Sequence, residues 1–384
     1  MTRFLLYSHD TYGLGHFRRS ALLATGLVAA DPCAEVLIVT GSPMAQAFSL
    51  PDRVDTVKLP TATKSDSGAY TPRKLGGGIR SLIKLRGSLI HSAVDAYRPD
   101  VVLVDHSPLG MGGELEPMFR SLRGLRQRPR VVLGLRDIID DPARVDSAWR
   151  RDGVWDQLER YDDIFVYGDP SITTTAQDLD LERRTAATVT HTGYVSPTMP
   201  DAITGEPYLL VTPGGGGDGQ ALLRAYLDAV ETGATAGLKS KIVTGPLLSA
   251  GRRAELLVRA ERLPTVELIE FSHQMRTLIA SATGVVSMAG YNTVVEELAA
   301  GVPSLLVPRR HPRLEQHLRA TRLAPTTHLS HCKADELSSD LVHDFVGISR
   351  EGVRTTATVD LSGVATVAAT LTARSHQERV PAHV

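Results

Sequence analysis

The sequence predicts an α/β protein made of two successive doubly wound domains. Short, continuously apolar runs alternate with amphipathic stretches, as in a parallel sheet covered by helices on both faces. A proline- and glycine-rich break interrupts the alternation once, and the alternation then starts again.

In the first half, RFLLYS (3–8), EVLIVT (35–40), RVDTVKL (53–59), VVLVD (101–105), VVLGL (131–135), DIFVYG (163–168) and ATVTHTG (187–193) read as strands. The stretches 16–30, 78–97 and 114–127 carry helical periodicity and read as crossovers. GYVSPTMPDAITGEP (193–207) has three prolines and little periodicity, so it reads as the junction. Beyond it PYLLVT (207–212), SKIVTG (240–245), TVELIEF (265–271), GVVSMA (284–289) and VPSLLVP (302–308) are strands, each followed by a helical pattern. The division expected is a domain over 1–193, a linker over 194–206, a second domain over 207–374 and a flexible tail over 375–384.

The 384 residues suffice for two domains, and 42% hydrophobic with 22% charged residues is ordinary for a globular chain. A net charge of −1 supplies no general attraction to nucleic acid. Cys33 and Cys332 match no metal spacing and fit a reducing cytoplasm. No run approaches the ~18 apolar residues of a membrane span, and the N-terminal apolar stretch is too short for a signal peptide. The chain is expected in the cytoplasm, with any membrane contact peripheral. The stretch RKLGGGIRSLIKLRGSLI (73–90) carries Arg73, Lys74, Arg80, Lys84 and Arg86 without an acid. It reads first as a core-facing helix with a solvated basic side, and second as a weak contact for an anionic membrane.

Two glycine-rich turns stand out in the second half. VTPGGGGDG (211–219) joins a strand to a helix, and Gly214, Gly215, Gly216 and Gly217 can offer backbone N–H groups to a phosphate or simply make a tight turn. Asp218 repels a pyrophosphate there, so it is expected to cap the helix or to hold a hydroxyl from the side. In SMAGYNTVVEELAAGVPSLLVPRRHPRLEQHLRA (287–320), Gly290 and Asn292 lead into a helix expected to start near Thr293. Glu296 sits one turn in, placed either for a ribose diol or as the acid of a Thr293–Glu296 capping box. Glu315 and Gln316 open the next helix, as sugar readers or as plain surface residues.

This stretch resembles the donor site of GT-B glycosyltransferases, most closely the transferase that adds N-acetylglucosamine to the lipid-linked peptidoglycan precursor (family 28), and more distantly the UDP-glycosyltransferases. Ser287, Gly290, Thr293, Glu296, Gly301, Pro303, Glu315 and Gln316 fall in register with that pattern. The resemblance implies a GT-B fold of two Rossmann-like domains facing a cleft. It implies that Glu296 binds the ribose, Glu315 and Gln316 the sugar, and the turns at 214–217 and 290–293 the pyrophosphate. FSHQM (271–275), with Phe271, Ser272 and Met275, resembles the segment that meets the nucleotide base. The four glycines followed by Asp218 depart from the family's usual loop. The middle of the first half, VDHSPLGMGGE and GLRDIIDDP, is similar to uncharacterised bacterial glycosyltransferases.

SHDTYGLGHFRRS (8–20) follows the first strand, and its Gly13, Gly15 and His16 resemble the glycine-histidine turn that carries the general base of inverting members. A neutral imidazole is suited to take a hydroxyl proton near pH 7. Asp105, at the end of VVLVD, is the expected partner of its other nitrogen, in competition with His106; Arg18 and Arg19 carry no assignment. The expected activity is metal-independent, inverting transfer of a sugar from a nucleoside diphosphate, UDP being favoured, to a hydroxyl of a small or lipid-linked acceptor, with no separate cofactor. The alternatives are a non-hydrolysing nucleotide-sugar 2-epimerase and a sensor that binds without turnover. Oligomeric state, sugar and acceptor leave no mark in the residues.

Overall fold

A computed structural model of the chain describes residues 1–9, 15–64 and 70–377. Met1–Val195 together with Leu361–Val384 form one compact unit, and Ser196–Asp360 form the other.

The first unit carries strands β1 (Arg3–Ser8), β2 (Glu35–Thr40), β3 (Val54–Lys58), β4 (Ala62–Lys64), β5 (Tyr70–Pro72), β6 (Val101–Asp105), β7 (Arg130–Arg136), β8 (Asp163–Tyr167) and β9 (Thr188–His191). Seven of them make one parallel sheet in the order β3-β2-β1-β6-β7-β8-β9, and β4 and β5 pair separately as an antiparallel hairpin. Every residue of β6 and β8 is buried, so both faces of the sheet are covered and the strands read as unbroken apolar runs. The order reverses between β1 and β6, whose register pairs Tyr7 with Val104. Such a reversal splays the loops at the carboxyl ends of the two strands and leaves a crevice between them.

The covering helices are α1 (Gly15–Ala30), α2 (Ile79–Tyr97), α3 (Glu116–Leu122), α4 (Pro142–Arg151) and two single turns, α5 (Thr175–Asp178) and α6 (Leu181–Arg184). Around the sheet Tyr7, Val104, Leu133, Phe119 and Trp149 join one core. Each large apolar side chain fully buried there contributes about 1.5–3 kcal/mol.

The second unit repeats the plan. Strands β10 (Tyr208–Thr212), β11 (Lys239–Val243), β12 (Val266–Ile269), β13 (Gly284–Ser287), β14 (Ser304–Leu306) and β15 (Leu329–His331) form a parallel sheet in the order β12-β11-β10-β13-β14-β15. Its helices are α7 (Gln220–Glu231), α8 (Ala250–Ala260), α9 (Met275–Ser281), α10 (Tyr291–Ala300), α11 (Glu315–Leu323) and α12 (Ser339–Arg350). The reversal here lies between β10 and β13, where Thr212 pairs with Ser287.

Helix α13 (Gly363–Gln377) differs from the sequence expectation of a second domain running to 374 and a tail from 375. It belongs to the first unit, and it runs through Gln377. It packs against α1, where Gly26 permits the approach: a Cβ there would meet Val364 Cγ1 at 2.4 Å. The bridge between Val195 and Ser362 pins the returning chain beside the end of the first segment.

Candidate active site

In the first unit, α1 and β6 bring polar groups to the crevice between β1 and β6. Helix α1 starts at Gly15 and puts His16 in its first turn, while Asp105 closes β6. His16 Nδ1 lies 2.5 Å from Asp105 Oδ2. Arg19, one turn further along α1, donates to Asp105 Oδ1 from Nε at 2.9 Å and from Nη2 at 2.6 Å. Arg19 and Asp105 are both buried, whereas His16 keeps 23% of its side chain exposed. Burial would push the Asp105 carboxyl up; the Arg19 guanidinium and then His16 outweigh it and hold the group well below the usual carboxylate range. An ionised carboxylate only accepts, so Nδ1 carries a proton, and in the neutral ring the lone pair is then on Nε2. The pairing of His16 is therefore with Asp105 and not with His106. Gly13 lies outside the described residues. Arg19, which the sequence left without an assignment, is buried and its charge is spent on Asp105.

A second buried chain ends beside the first. Arg86 of α2 donates to Glu114 from Nε at 2.5 Å and from Nη2 at 2.7 Å, and the Tyr7 hydroxyl donates to Glu114 Oε1 at 2.6 Å. Burial, reinforced by the Glu114 charge, pushes the Tyr7 hydroxyl well up, so it stays protonated. With that proton committed, Tyr7 Oη accepts from His9 Nδ1 at 3.2 Å. The His9 and His16 rings stand 5.6 Å apart, edge to face, and the His106 ring lies 5.3 Å from His16. His106 holds φ +65°, a conformation found at strained functional turns, and receives Arg136 Nη2 at 3.4 Å on its Nε2. Arg86 is fully buried, which removes it from the basic face expected over 73–90. Arg73, Lys74, Arg80 and Lys84 remain exposed, with Leu75, Leu85 and Leu89 exposed among them.

In the second unit, the loops after β10, β11, β13 and β14 gather at the carboxyl edge of the sheet. The Gly214 N–H donates to Thr212 Oγ1 at 3.1 Å, and a Cβ on Gly214 would lie 3.7 Å from Thr293 Oγ1. The 214–217 loop and the α10 start are thus neighbours. Gly216 has φ +90°, and a Cβ on it would fall 2.2 Å from the Thr244 carbonyl, so the loop depends on glycine at this position. Helix α10 starts at Tyr291 with Gly290 as N-cap and no side-chain cap, which replaces both the start expected near Thr293 and the capping-box reading. Asn292, Thr293 and Glu296 lie on its first two turns, Glu296 only 3% exposed. Ser287 is buried and donates to the Met288 carbonyl, so it contributes small size rather than a free hydroxyl. Phe271 and Ser272 lie in the turn after β12, and Met275 begins α9.

Asp218 does not cap α7, whose N-cap is Gly219. It pairs instead with Arg309, Oδ2 to Nε at 2.7 Å. Arg309 Nη2 also reaches Glu315 Oε1 at 2.5 Å, and its backbone N–H donates to Gln316 Oε1 at 3.1 Å. Glu315 and Gln316 are buried, contrary to a plain surface reading. Arg319, fully buried on α11, donates to the Ala289 carbonyl at 2.7 Å and fixes the turn into α10. Arg19, His9, Arg309 and Arg319 escaped sequence reasoning; for Arg309 the signal present was the unexplained Asp218.

Among the described residues no group of three or more His, Cys, Asp or Glu is arranged to hold a metal ion, and no helix is long and apolar enough to cross a membrane.

Residues 209–344 match the model of the glycosyltransferase family 28 C-terminal domain. No curated protein matches the chain. Among solved structures, the chain is similar to Phytolacca americana UGT2, complexed with UDP-2-fluoro-glucose and pterostilbene, at 14% identity and TM-score 0.63, covering 98% of this chain and 99% of that one. It is similar to a Listeria monocytogenes protein described as a UDP-N-acetylglucosamine 2-epimerase at 14% identity and TM-score 0.66, covering 100% and 98%. It is also similar to Acinetobacter baumannii MurG at 13% identity and TM-score 0.54, covering 98% and 99%.

Proposed function

We propose that this chain, a glycosyltransferase of the GT-B fold whose second unit holds a family 28 C-terminal domain, moves a sugar with inversion from a UDP-sugar to a hydroxyl acceptor, with His16 as the base. The observation that carries the reading is the His16–Asp105 pair, which aims a lone pair from Nε2 while Nδ1 is held by a carboxylate kept ionised by Arg19. His16 Nε2 takes the acceptor proton as the acceptor oxygen bonds to the anomeric carbon. The bond from that carbon to the diphosphate oxygen breaks on the opposite face, and its electron pair leaves with the diphosphate. Asp105 then stabilises the imidazolium until the proton passes to water.

The second unit is assigned to the donor. The N–H groups of Gly215–Gly217 and of the α10 start suit a diphosphate, Glu296 suits the ribose, and Glu315 and Gln316 suit the sugar. Phe271, Ser272 and Met275 line the turn assigned to the base. The nucleotide sugar is a substrate, and the reading assigns no cofactor or metal. The cytoplasm is the compartment proposed. The exposed cations and leucines of 73–90 suit weak contact with an anionic bilayer, for which co-sedimentation with phosphatidylglycerol vesicles at low salt is expected and its absence rules the contact out.

The donor assignment is tested by the melting shift, then calorimetry, with UDP, dTDP, GDP and ADP on the wild type and on Glu296→Ala. A ligand that binds only the folded state raises its melting temperature. Stabilisation by UDP, lost in the variant, is expected; no response to any diphosphate overturns the assignment. Incubation with the UDP-sugar alone tests the epimerase, which would produce a sugar isomer without an acceptor.

A further inference from the structure

The glycine loop assigned to the diphosphate ends in a carboxylate, Asp218, whose charge is paired. One guanidinium, Arg309, holds Asp218 at 2.7 Å and Glu315 at 2.5 Å. The same residue holds Gln316 through its backbone N–H. Arg309 therefore ties the loop assigned to the diphosphate to the pair assigned to the sugar. The cluster sets one positive charge against two negative ones, a net −1 that repels a diphosphate until the arginine turns toward it. Arg253, another cation of the second unit, is committed to the Gly245 and Leu248 carbonyls and to Glu270.

We propose that Arg309 is the cation that meets the donor's diphosphate, and that Asp218 and Glu315 hold it in reserve while the site is empty. This rests on the donor assignment above. When a diphosphate lies on the 215–217 N–H groups, its oxygens compete with Asp218 for the guanidinium, which can form bidentate bonds to phosphate as well as to carboxylate. Transfer of Arg309 to the phosphates releases the Glu315 carboxylate to receive sugar hydroxyls. The arginine thus couples occupation of the diphosphate place to readiness of the sugar place, and nucleosides without phosphates leave the latch closed.

The sign of two substitutions separates this role from a structural one. UDP and uridine are titrated calorimetrically into the wild type, Arg309→Gln and Asp218→Asn. Arg309→Gln is expected to weaken UDP about tenfold or more, the range for losing charge-assisted hydrogen bonds, with uridine affinity unchanged. Asp218→Asn is expected to bind UDP several-fold more tightly, because the competitor is gone. An arginine that merely braces the loop would make Asp218→Asn weaker or neutral, and that result overturns the proposal. Glu315→Gln, read with UDP because it carries no sugar, removes the other competitor and is expected to tighten binding too, which keeps the test intact if Asp218→Asn fails to fold. A wild type that binds uridine and UDP equally also overturns the proposal while leaving a nucleoside site. A wild type that binds no nucleoside diphosphate overturns the donor assignment itself, and this proposal with it.

Discussion

Glu297 offers a prediction whose size follows from its burial. It lies on α10 beside Glu296, is fully buried, and has its carboxyl pushed from 4.5 up to about 8, by burial first and by the Glu296 charge in addition. Below about pH 4.5 the folded and unfolded chains both carry this proton, and the group costs nothing. Between 4.5 and 8 only the folded chain keeps it, so stability falls by roughly 1.4 kcal/mol per pH unit. Over that window the loss sums to about 5 kcal/mol, and above pH 8 it is complete. Glu297→Gln keeps the shape and removes the ionisation. The variant is expected to lose less stability than the wild type as pH rises from 5 to 8, and to be the more stable of the two at pH 8. Differential scanning calorimetry across that range reads the effect on the second unit. Parallel pH slopes for the two proteins would refute the reasoning, because Glu297 would then titrate alike in both states.

Asp105→Asn should lower kcat about 100-fold or more with UDP affinity unchanged, since only the tautomer and the imidazolium depend on it; calorimetry beside initial rates separates the two. Arg86→Met leaves the Glu114 charge buried alone and should destabilise the first unit by roughly 3–5 kcal/mol. Urea unfolding followed by Trp149 and Trp155, both in that unit, measures the loss, and adding Glu114→Gln should recover part of it. Gly216→Ala, at φ +90° against the Thr244 carbonyl, should cost about 1–3 kcal/mol and abolish UDP binding in calorimetry. Gly217→Ala, whose nearest neighbour would be 3.7 Å away, should leave both intact.

What the sequence makes legible follows burial. Strands such as β6, β8 and β10 sit in sheets covered on both faces, so each is an unbroken apolar run with sharp ends. Strand β15 has three residues with one buried, and β4 and β5 have three each; so short a segment carries no periodicity, and none of them is legible. The unit that α13 packs on is set by a close approach to Gly26 in a distant segment, which no local pattern records. In the site, glycines, His16 and Asp105 are readable because few residue types do their work. Buried arginines are not. Arg19 and Arg86, and likewise the partly exposed Arg309, look like surface cations until the fold brings a carboxylate to them, as Asp105 is brought to Arg19.

The measurement that tests the central claim most directly follows radiolabelled sugar from the UDP-sugar that binds best into a pool of hydroxyl acceptors, for the wild type and for His16→Ala. The account predicts label transfer by the wild type, and a loss of about 100-fold or more in the variant at unchanged UDP affinity. Full transfer by His16→Ala, or a wild type that only isomerises the donor, would contradict it.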